Sequence, residues 1–334
     1  MNIQEIFDKI NNDYSDLVFI TDTNVYNIYK SFFTNSKVIV FHSSESEKTL
    51  STVDFIYREL LNYQVSRNTV LVGVGGGIVS DIVGFVASTY LRGLRFGFVP
   101  TTLLGMVDAS IGGKNGVNYD GYKNIIGTIN EPEFIYWSID FLNSLPEREL
   151  HSAFGEILKY AIGFDKDLFD LLNKYTYKEI VKDDNALSEV IIKCINIKNG
   201  IVSKDLKEIG ERKRLNLGHT IGHAIEKYTH DIVHGEAVGI GLYVMTFYSG
   251  CDNFIELPEV SDILKLLEKY DLAHFKKYDY KTLLKNSIDN IIADKKRSDS
   301  DTIEIVVISK IGRCEIERVE INKYKKLIQS IFLY

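Results

Sequence analysis

Thr69-Val-Leu-Val-Gly-Val-Gly-Gly-Gly-Ile-Val-Ser-Asp81 decides the fold. Its first four residues are a short apolar run, as strands buried on both faces are. The glycines from Gly73 to Gly77 end that run, and Ser80 to Ala87 continues at helical spacing. Strand, glycine turn and helix in that order make one unit of a doubly wound α/β sheet. Glycines there let a backbone approach a pyrophosphate, and the amides of the helix start favour its charge. The spacing is not a strict G-x-G-x-x-G, so a plain tight turn is the competing reading. Asp81, in the first turn of the helix, reads as a helix-terminal carboxylate or as a group that holds the ribose or nicotinamide end of a nucleotide.

The same alternation extends outward on both sides. Leu17–Ile20, Lys37–Phe41 and Arg95–Val99 are further buried strands, the last closed by Pro100, and Asp54–Tyr63 is helical in spacing. After Pro146 the texture changes. Glu149–Phe164, Leu187–Leu206, His219–Tyr228, Ala237–Tyr248 and Glu259–Lys269 predict helices in succession. Thr302–Ser309 and Arg313–Val319, flanking Lys310-Ile-Gly312, predict a hairpin. The expected architecture is α/β: an N-terminal doubly wound Rossmann-like domain over residues 1–148, then a mainly helical domain over 149–334 that carries metal and substrate.

The chain has 334 residues and a net charge of -7, which argues against a nucleic-acid partner. No apolar run reaches transmembrane length, and the first residues lack the pattern of a signal peptide. Cys194, Cys251 and Cys314 are widely spaced and read as ordinary buried thiols of a reducing compartment. A cytoplasmic protein is expected.

Four of the seven histidines, His219, His223, His230 and His234, fall within sixteen residues. His219 and His223 share one helix face at i,i+4. Both could ligate one ion, or one could ligate while the other faces substrate. Two exposed histidines on an amphipathic helix are the plain alternative. His234 is expected in a loop just before a helix that starts at Ala237, and His230, in a polar stretch, reads as solvated. A catalytic zinc wants three protein ligands, often two histidines and a carboxylate. Glu156, in Phe154-Gly-Glu-Ile-Leu-Lys159, is the best candidate for the carboxylate. The alternative for Glu156 and Lys159 is an intrahelical ion pair.

The stretch from Thr101 to Gly127 reads as a glycine-rich polar loop. Its lysines, Lys114 and Lys123, can reach phosphates or carboxylates, and Leu103-Leu104 and Ile125-Ile126 predict partial burial. With Arg92 and Arg212, these cations point to a substrate carrying two or three negative charges.

Taken in order, several motifs resemble the 3-dehydroquinate synthase family. They are Leu91-Arg-Gly93, Met106-Val-Asp-Ala-Ser-Ile-Gly-Gly-Lys114, Lys123-Asn-Ile-Ile-Gly127 and Glu156-Ile-Leu-Lys159, followed by Leu215-Asn-Leu-Gly-His-Thr-Ile-Gly-His-Ala-Ile-Glu226, His234-Gly-Glu236 and Asp294-Lys-Lys296. The resemblance spans roughly residues 17 to 320. It implies zinc, with cobalt as an alternative, held by Glu156, His219 and His234, and it turns His223 toward the substrate phosphate. It implies NAD on Asp22, Asn24, Glu45, Lys48, Gly76, Gly77, Ile78, Asp81, Thr101, Thr102, Lys114, Lys123, Phe141 and Ser144. The substrate carboxylate would meet Lys114, Arg212 and Asn216. Its hydroxyls would meet Asp108, Lys159 and Lys198, with Glu208 a further acid of the pattern. The phosphate would meet Asn124, His223, one of Lys295 and Lys296, and an Arg92 reaching across a homodimer. Where the family carries Pro-x-Gly-Glu before its nucleotide lysine, this chain has Ser43-Ser-Glu45.

The reaction so implied converts 3-deoxy-D-arabino-heptulosonate 7-phosphate into 3-dehydroquinate and phosphate, a step toward aromatic amino acids in the shikimate pathway. It runs by transient oxidation with NAD, phosphate elimination, re-reduction and intramolecular aldol closure. Three other readings compete. One is a cyclase acting on a sugar phosphate that lacks the carboxylate, against which Arg212 and Asn216 speak. Another is a polyol dehydrogenase, which would release NADH, and the last is a catalytically silent metal- or nucleotide-binding protein.

Overall fold

A computed structural model describes residues 1–229, 231–272 and 301–331. The chain divides into two compact units, Met1–Leu150 and His151–Tyr334.

In the first unit β1 (Leu17–Asp22), β2 (Lys37–Phe41), β3 (Val70–Gly75), β4 (Arg95–Pro100) and the short β7 (Phe134–Ile135) form one parallel sheet in the order β2-β1-β3-β4-β7. Helix α1 (Ile3–Asp13) precedes the sheet, and α2 (Thr23–Tyr29), α3 (Leu50–Asn62) and α4 (Gly77–Thr89) intervene between its strands. Strand β3 is buried along its whole length, which is why it reads as an unbroken apolar run. Helix α4 buries Val79, Ile82, Val83, Phe85, Val86 and Ala87, so it shows little amphipathic contrast. Strand order reverses between β1 and β3. The carboxyl ends of those strands, at Asp22 and Gly75, therefore flank the point where open α/β sheets bind ligands.

The expected polar loop is mostly ordered backbone. Gly105–Ala109 makes a π turn, and β5 (Lys114–Tyr119) pairs antiparallel with β6 (Tyr122–Ile129). Asp120 and Gly121 join them, both left-handed at φ 49° and 79°, the conformation that Asp-Gly adopts in a two-residue hairpin turn. One flank of this ribbon packs on α4, and Asn115 sits against Gly84, where a Cβ would collide with its amide. Ile125 is 62% exposed, against the expected partial burial, while Ile126 is partly buried.

The second unit is mainly helical. It contains α6 (Phe154–Gly163), α7 (Lys166–Lys174), α8 (Tyr177–Ile180), α9 (Asp184–Val202), α10 (His219–Tyr228), α11 (His234–Cys251), α12 (Leu257–Lys269) and α13 (Ile321–Ile331), with a hairpin of β8 (Thr302–Lys310) and β9 (Arg313–Glu320). The short α5 (Glu147–Ser152) lies at the boundary. The single helix expected over 149–164 is thus two. The break falls where the Gly235 amide donates to the Ser152 hydroxyl at 3.0 Å.

Helix α11 is the axis of this unit, packed by α6, α10, α12, α13 and β8. Its start also corrects the expectation for His234, which is the first residue of the helix rather than part of a loop. The Glu236 carboxylate accepts the Val233 N–H at 3.2 Å and so satisfies an amide at the helix entrance. Backbone contact fixes the spacing around α11. A Cβ on Gly235 would lie 1.6 Å from the Ser152 carbonyl oxygen, and one on Gly241 would lie 1.9 Å from that of Gly218.

Cys194 and Cys314 are buried as expected, whereas Cys251, at the end of α11, is exposed. No helix among the described residues is long and apolar enough to cross a membrane. His230, Asp294, Lys295 and Lys296 lie outside the described residues.

Candidate functional site

Three helices of the second unit each bring one group to a common point. Glu156 comes from the first turn of α6, His219 from the start of α10 and His234 from the start of α11. One ligand atom from each lies within 4.8 Å of the others. His219 Nε2 is 3.1 Å and His234 Nε2 is 3.2 Å from the same Glu156 oxygen, Oε1. Both Nδ1 atoms point away from it. That of His219 donates to the Leu217 carbonyl at 3.1 Å, and that of His234 meets Glu226 Oε2 at 3.4 Å. With Nδ1 engaged, each ring presents Nε2 inward. Two imidazoles and a carboxylate are the donor set of an open divalent-cation site, and the residues present fit one.

The electrostatics agree with the geometry. Glu156 is fully buried, and Lys159, one turn along α6, forms an ion pair with its Oε2 without the alignment of a hydrogen bond. Burial works against the Glu156 charge. Lys159 and the two histidines outweigh that and hold the carboxyl well below the usual range. Burial likewise works against a charged His234, but hydrogen bonds to Glu156 and Glu226 raise it to about 10. In the metal-free protein His234 therefore carries a proton at neutral pH, and a cation must displace it. Zinc uptake at pH 7.5 is expected to release about one proton per ion. Apparent affinity should rise about tenfold per unit between pH 7 and 8.5. A weakly buffered titration with an indicator dye measures both, and a pH-independent affinity would contradict the assignment.

His223 follows one turn after His219. Its ring centroid is 5.2 Å from that of His219 and 6.4 Å from that of His234. It is exposed and outside the converging triad. Lys198 and Arg212 are buried, and Arg212 donates to the Leu206 carbonyl at 2.7 Å. Asn216 Nδ2 donates to Glu208 at 2.7 Å, so two of the expected substrate groups engage each other. The Asp205 carboxylate accepts the amides of Ile209, Gly210 and Arg212 and fixes the turn that carries them.

In the first unit Asp22, Gly76, Thr101 and Thr102, all expected at the nucleotide, lie at the carboxyl ends of β1, β3 and β4. Asp22 caps α2 by accepting the Asn24 and Val25 amides at 2.8 and 3.0 Å. Gly76 is the N-cap of α4, with Gly77 and Ile78 in its first turn. Thr101 is buried and its amide donates to Gly75, while Thr102 accepts the Gly105 amide. The buried Lys48, just after the 3-10 turn Glu45–Glu47, pairs with Asp81, which lies past the first turn of α4 rather than in it as expected, and also donates to Asn124 at 2.5 Å. Asn124, expected at the substrate phosphate, thus shares a lysine with Asp81, expected at the nucleotide. Lys114 and Lys123 are exposed on the ribbon, and Asp108 is half-buried in the π turn. Phe141 packs edge-on against Tyr29, whose hydroxyl meets Ser144 at 2.7 Å. Arg92 is exposed, at φ 66° between Leu91 at 49° and Gly93 at 120°.

Two residues without an expected role stand out. Asn118 donates to Glu45 at 2.8 Å and accepts the Asn124 amide at 2.9 Å, which ties the ribbon to the Glu45–Lys48 segment. Glu226 contacts His234, as above. Its spacing held a signal, since positions 219, 223 and 226 are i, i+4 and i+7 on one face of α10.

Comparison with known proteins adds to this geometry. Residues 38–152 match the family model for the 3-dehydroquinate synthase N-terminal region, and residues 153–297 match that for the C-terminal region. The chain is 36% identical to the 3-dehydroquinate synthase of Clostridium tetani over 325 residues, covering 95% of this chain and 85% of that one. Against the Saccharolobus solfataricus enzyme the identity is 37%, covering 95% and 90%. Among solved structures, 2-epi-5-epi-valiolone synthase from Streptomyces hygroscopicus, with NAD+ and Zn2+ bound, superposes with a TM-score of 0.85. The identity is 24%, covering 96% of this chain and 92% of that one. A 2-deoxy-scyllo-inosose synthase complexed with carbaglucose-6-phosphate, NAD+ and Co2+ gives 0.84 at 24% identity, covering 97% and 94%. Those two likenesses establish the fold. Both family models together span most of the chain, with the converging carboxylate and histidines inside the second, and on that footing the chain belongs to the 3-dehydroquinate synthase family.

Proposed function

We propose that this chain converts 3-deoxy-D-arabino-heptulosonate 7-phosphate into 3-dehydroquinate and phosphate, as a carbon–oxygen lyase dependent on NAD and a divalent cation. The observation that carries the reading is the convergence of Glu156, His219 and His234 beside Lys159 in a chain of this family. The NAD+ and Zn2+ or Co2+ of the structural neighbours support both cofactors. Glu156, His219 and His234 would hold the cation. Asp22, Gly76, Gly77, Ile78 and Asp81, with Lys48, Thr101 and Thr102, would hold NAD. When bound, these groups supply Lewis acidity at a ring hydroxyl and a hydride acceptor that returns what it takes.

The chain's own residues do the rest. Lys159 and Lys198 are buried cations that favour a hydroxyl oxygen as it loses its proton. Arg212, Asn216 and Lys114 hold the substrate carboxylate, which selects this substrate over a sugar phosphate that lacks one. His223, Asn124 and Arg92, with one of Lys295 and Lys296, grip the phosphate. Asp108 and Glu208 orient hydroxyls. The departing phosphate can take the neighbouring C–H proton itself, so no strong protein base is required. Ring opening and aldol closure then need conformers restricted more than bonds activated. The same reading makes the enzyme a cytoplasmic homodimer. The exposed Arg92, on a turn of three successive positive φ values, supports a group that reaches outward.

Protein loaded with zinc and NAD is expected to release phosphate from the heptulosonate phosphate with no net NADH. Steady NADH accumulation with a polyol and no phosphate release would sink the proposal. Turnover of a sugar phosphate lacking the carboxylate, in preference to this substrate, would reassign it to a different cyclase.

A further inference from the structure

We propose that Glu226 is the positioning residue for His234, its carboxylate accepting the Nδ1 proton so that Nε2 is left to a divalent cation. This rests on the metal-site reading above. The two histidines are braced differently. His219 Nδ1 meets the Leu217 carbonyl, two residues back on its own chain segment, and no side-chain substitution removes that acceptor. His234 is the first residue of α11 and half-buried, and its Nδ1 meets a side chain of another helix, at 3.4 Å. Glu226 is two turns along α10 from His219, and α10 packs on α11. One helix thus supplies a ligand, His219, and also orients the ligand on its neighbour.

The carboxylate has two effects on a bound cation. It fixes the ring plane and tautomer, and it makes the imidazole a stronger donor. Its charge also matters locally. Lys159 offsets Glu156 at the centre, so Glu226 adds the negative charge that a divalent ion balances. Gln at position 226 would keep an acceptor and remove the charge, which separates the two effects.

The test uses full-length protein stripped of metal, titrated with zinc against a chromophoric chelator, for wild type, Glu226→Gln, Glu226→Ala and His234→Ala. Glu226→Ala is expected to bind zinc about 10–100-fold more weakly, and Glu226→Gln to fall between it and wild type. Cobalt-loaded Glu226→Ala should show an altered visible absorption band, and the melting temperature of the metal-free variants should stay within a few degrees of wild type. Wild-type zinc affinity in Glu226→Ala, with loss in His234→Ala, would overturn this role alone. Retention of zinc in His234→Ala would overturn the metal site and this role together. A fall in melting temperature with unchanged zinc affinity would mark Glu226 as a structural contact only and refute the inference.

Discussion

Glu156→Ala is expected to lose bound metal and to destabilise the protein as well, whereas His219→Ala should lose the metal alone. The difference comes from Lys159. Glu156 and Lys159 are both essentially fully buried and paired across one helical turn. Removing the carboxylate leaves an ammonium without its counter-ion, a loss of roughly 3–5 kcal/mol when the pair is buried. Removing His219 leaves Glu156 still paired with Lys159 and His234, and the partner of its own Nδ1 is a backbone carbonyl. Zinc sites bind with about 10–16 kcal/mol. Losing one ligand of three should therefore weaken binding by at least about a hundredfold, at about 1.4 kcal/mol per factor of ten. His223→Ala should keep its zinc and lose activity on the phosphate-bearing substrate. Metal content after dialysis and thermal melts of the metal-free proteins make the comparison. Equal metal loss in His219→Ala and His223→Ala would overturn the ligand set.

Gly235→Ala is expected to be the most damaging single methyl group in the second unit. The added carbon would fall 1.6 Å from the Ser152 carbonyl oxygen, and a Cβ on Gly155 would lie 2.3 Å from the Gly235 carbonyl. The Ser152 carbonyl, at the end of α5, is not the tip of a flexible side chain, so the α5–α6 junction and α11 must part. Overpacking of this kind costs about 1–3 kcal/mol or more. It would also separate Glu156 from His234, each adjacent in sequence to a contact glycine. Gly200→Ala, on α9, is the control. Among the described residues nothing beyond its own helix lies within 4 Å of a Cβ there, and in a helix the change should stabilise by about 0.4–1 kcal/mol. Melting temperature and zinc content, measured on both, decide it. A Gly235→Ala protein with wild-type values of each would show that the helix contact is not limiting.

Much of the first unit was legible because its strands are buried on both faces. Lys37–Phe41 reads as a strand over the bounds it has, and β1, β3 and β4 differ only at their ends. The ribbon of β5 and β6 escaped because its residues are polar and rich in glycine, which masks alternation; the Asp120-Gly121 turn was its one sharp signal. In the second unit the start of α11 escaped for a related reason. His234-Gly-Glu lacks apolar periodicity, and the glycines of that helix serve contact rather than flexibility. Helices α1, α2, α7, α8 and α13 were not anticipated. Local spacing made His219 and His223 the natural pair, since an i,i+4 relation is visible along one helix. The convergence of Glu156 with His234 joins residues 78 apart and is set by how α6 crosses α11. Nothing local encodes that; the isolated charge of Glu156 in an apolar stretch made it a candidate, and the resemblance to a family fixed the choice of His234 over His223.

The contacts at Gly235 and Gly241 also bear on how such a chain can diverge. Where helices touch through peptide groups, the distance between them does not depend on the side chains that relatives exchange. Glu156, His219 and His234 are thus carried on a frame that substitution elsewhere on α6, α10 and α11 leaves undisturbed. The turn at 205–216 hangs instead on side-chain hydrogen bonds from Asp205. A lineage built this way can keep one metal geometry and alter the groups that grip the substrate, so a change of specificity is expected to arise in that turn and to leave α11 alone.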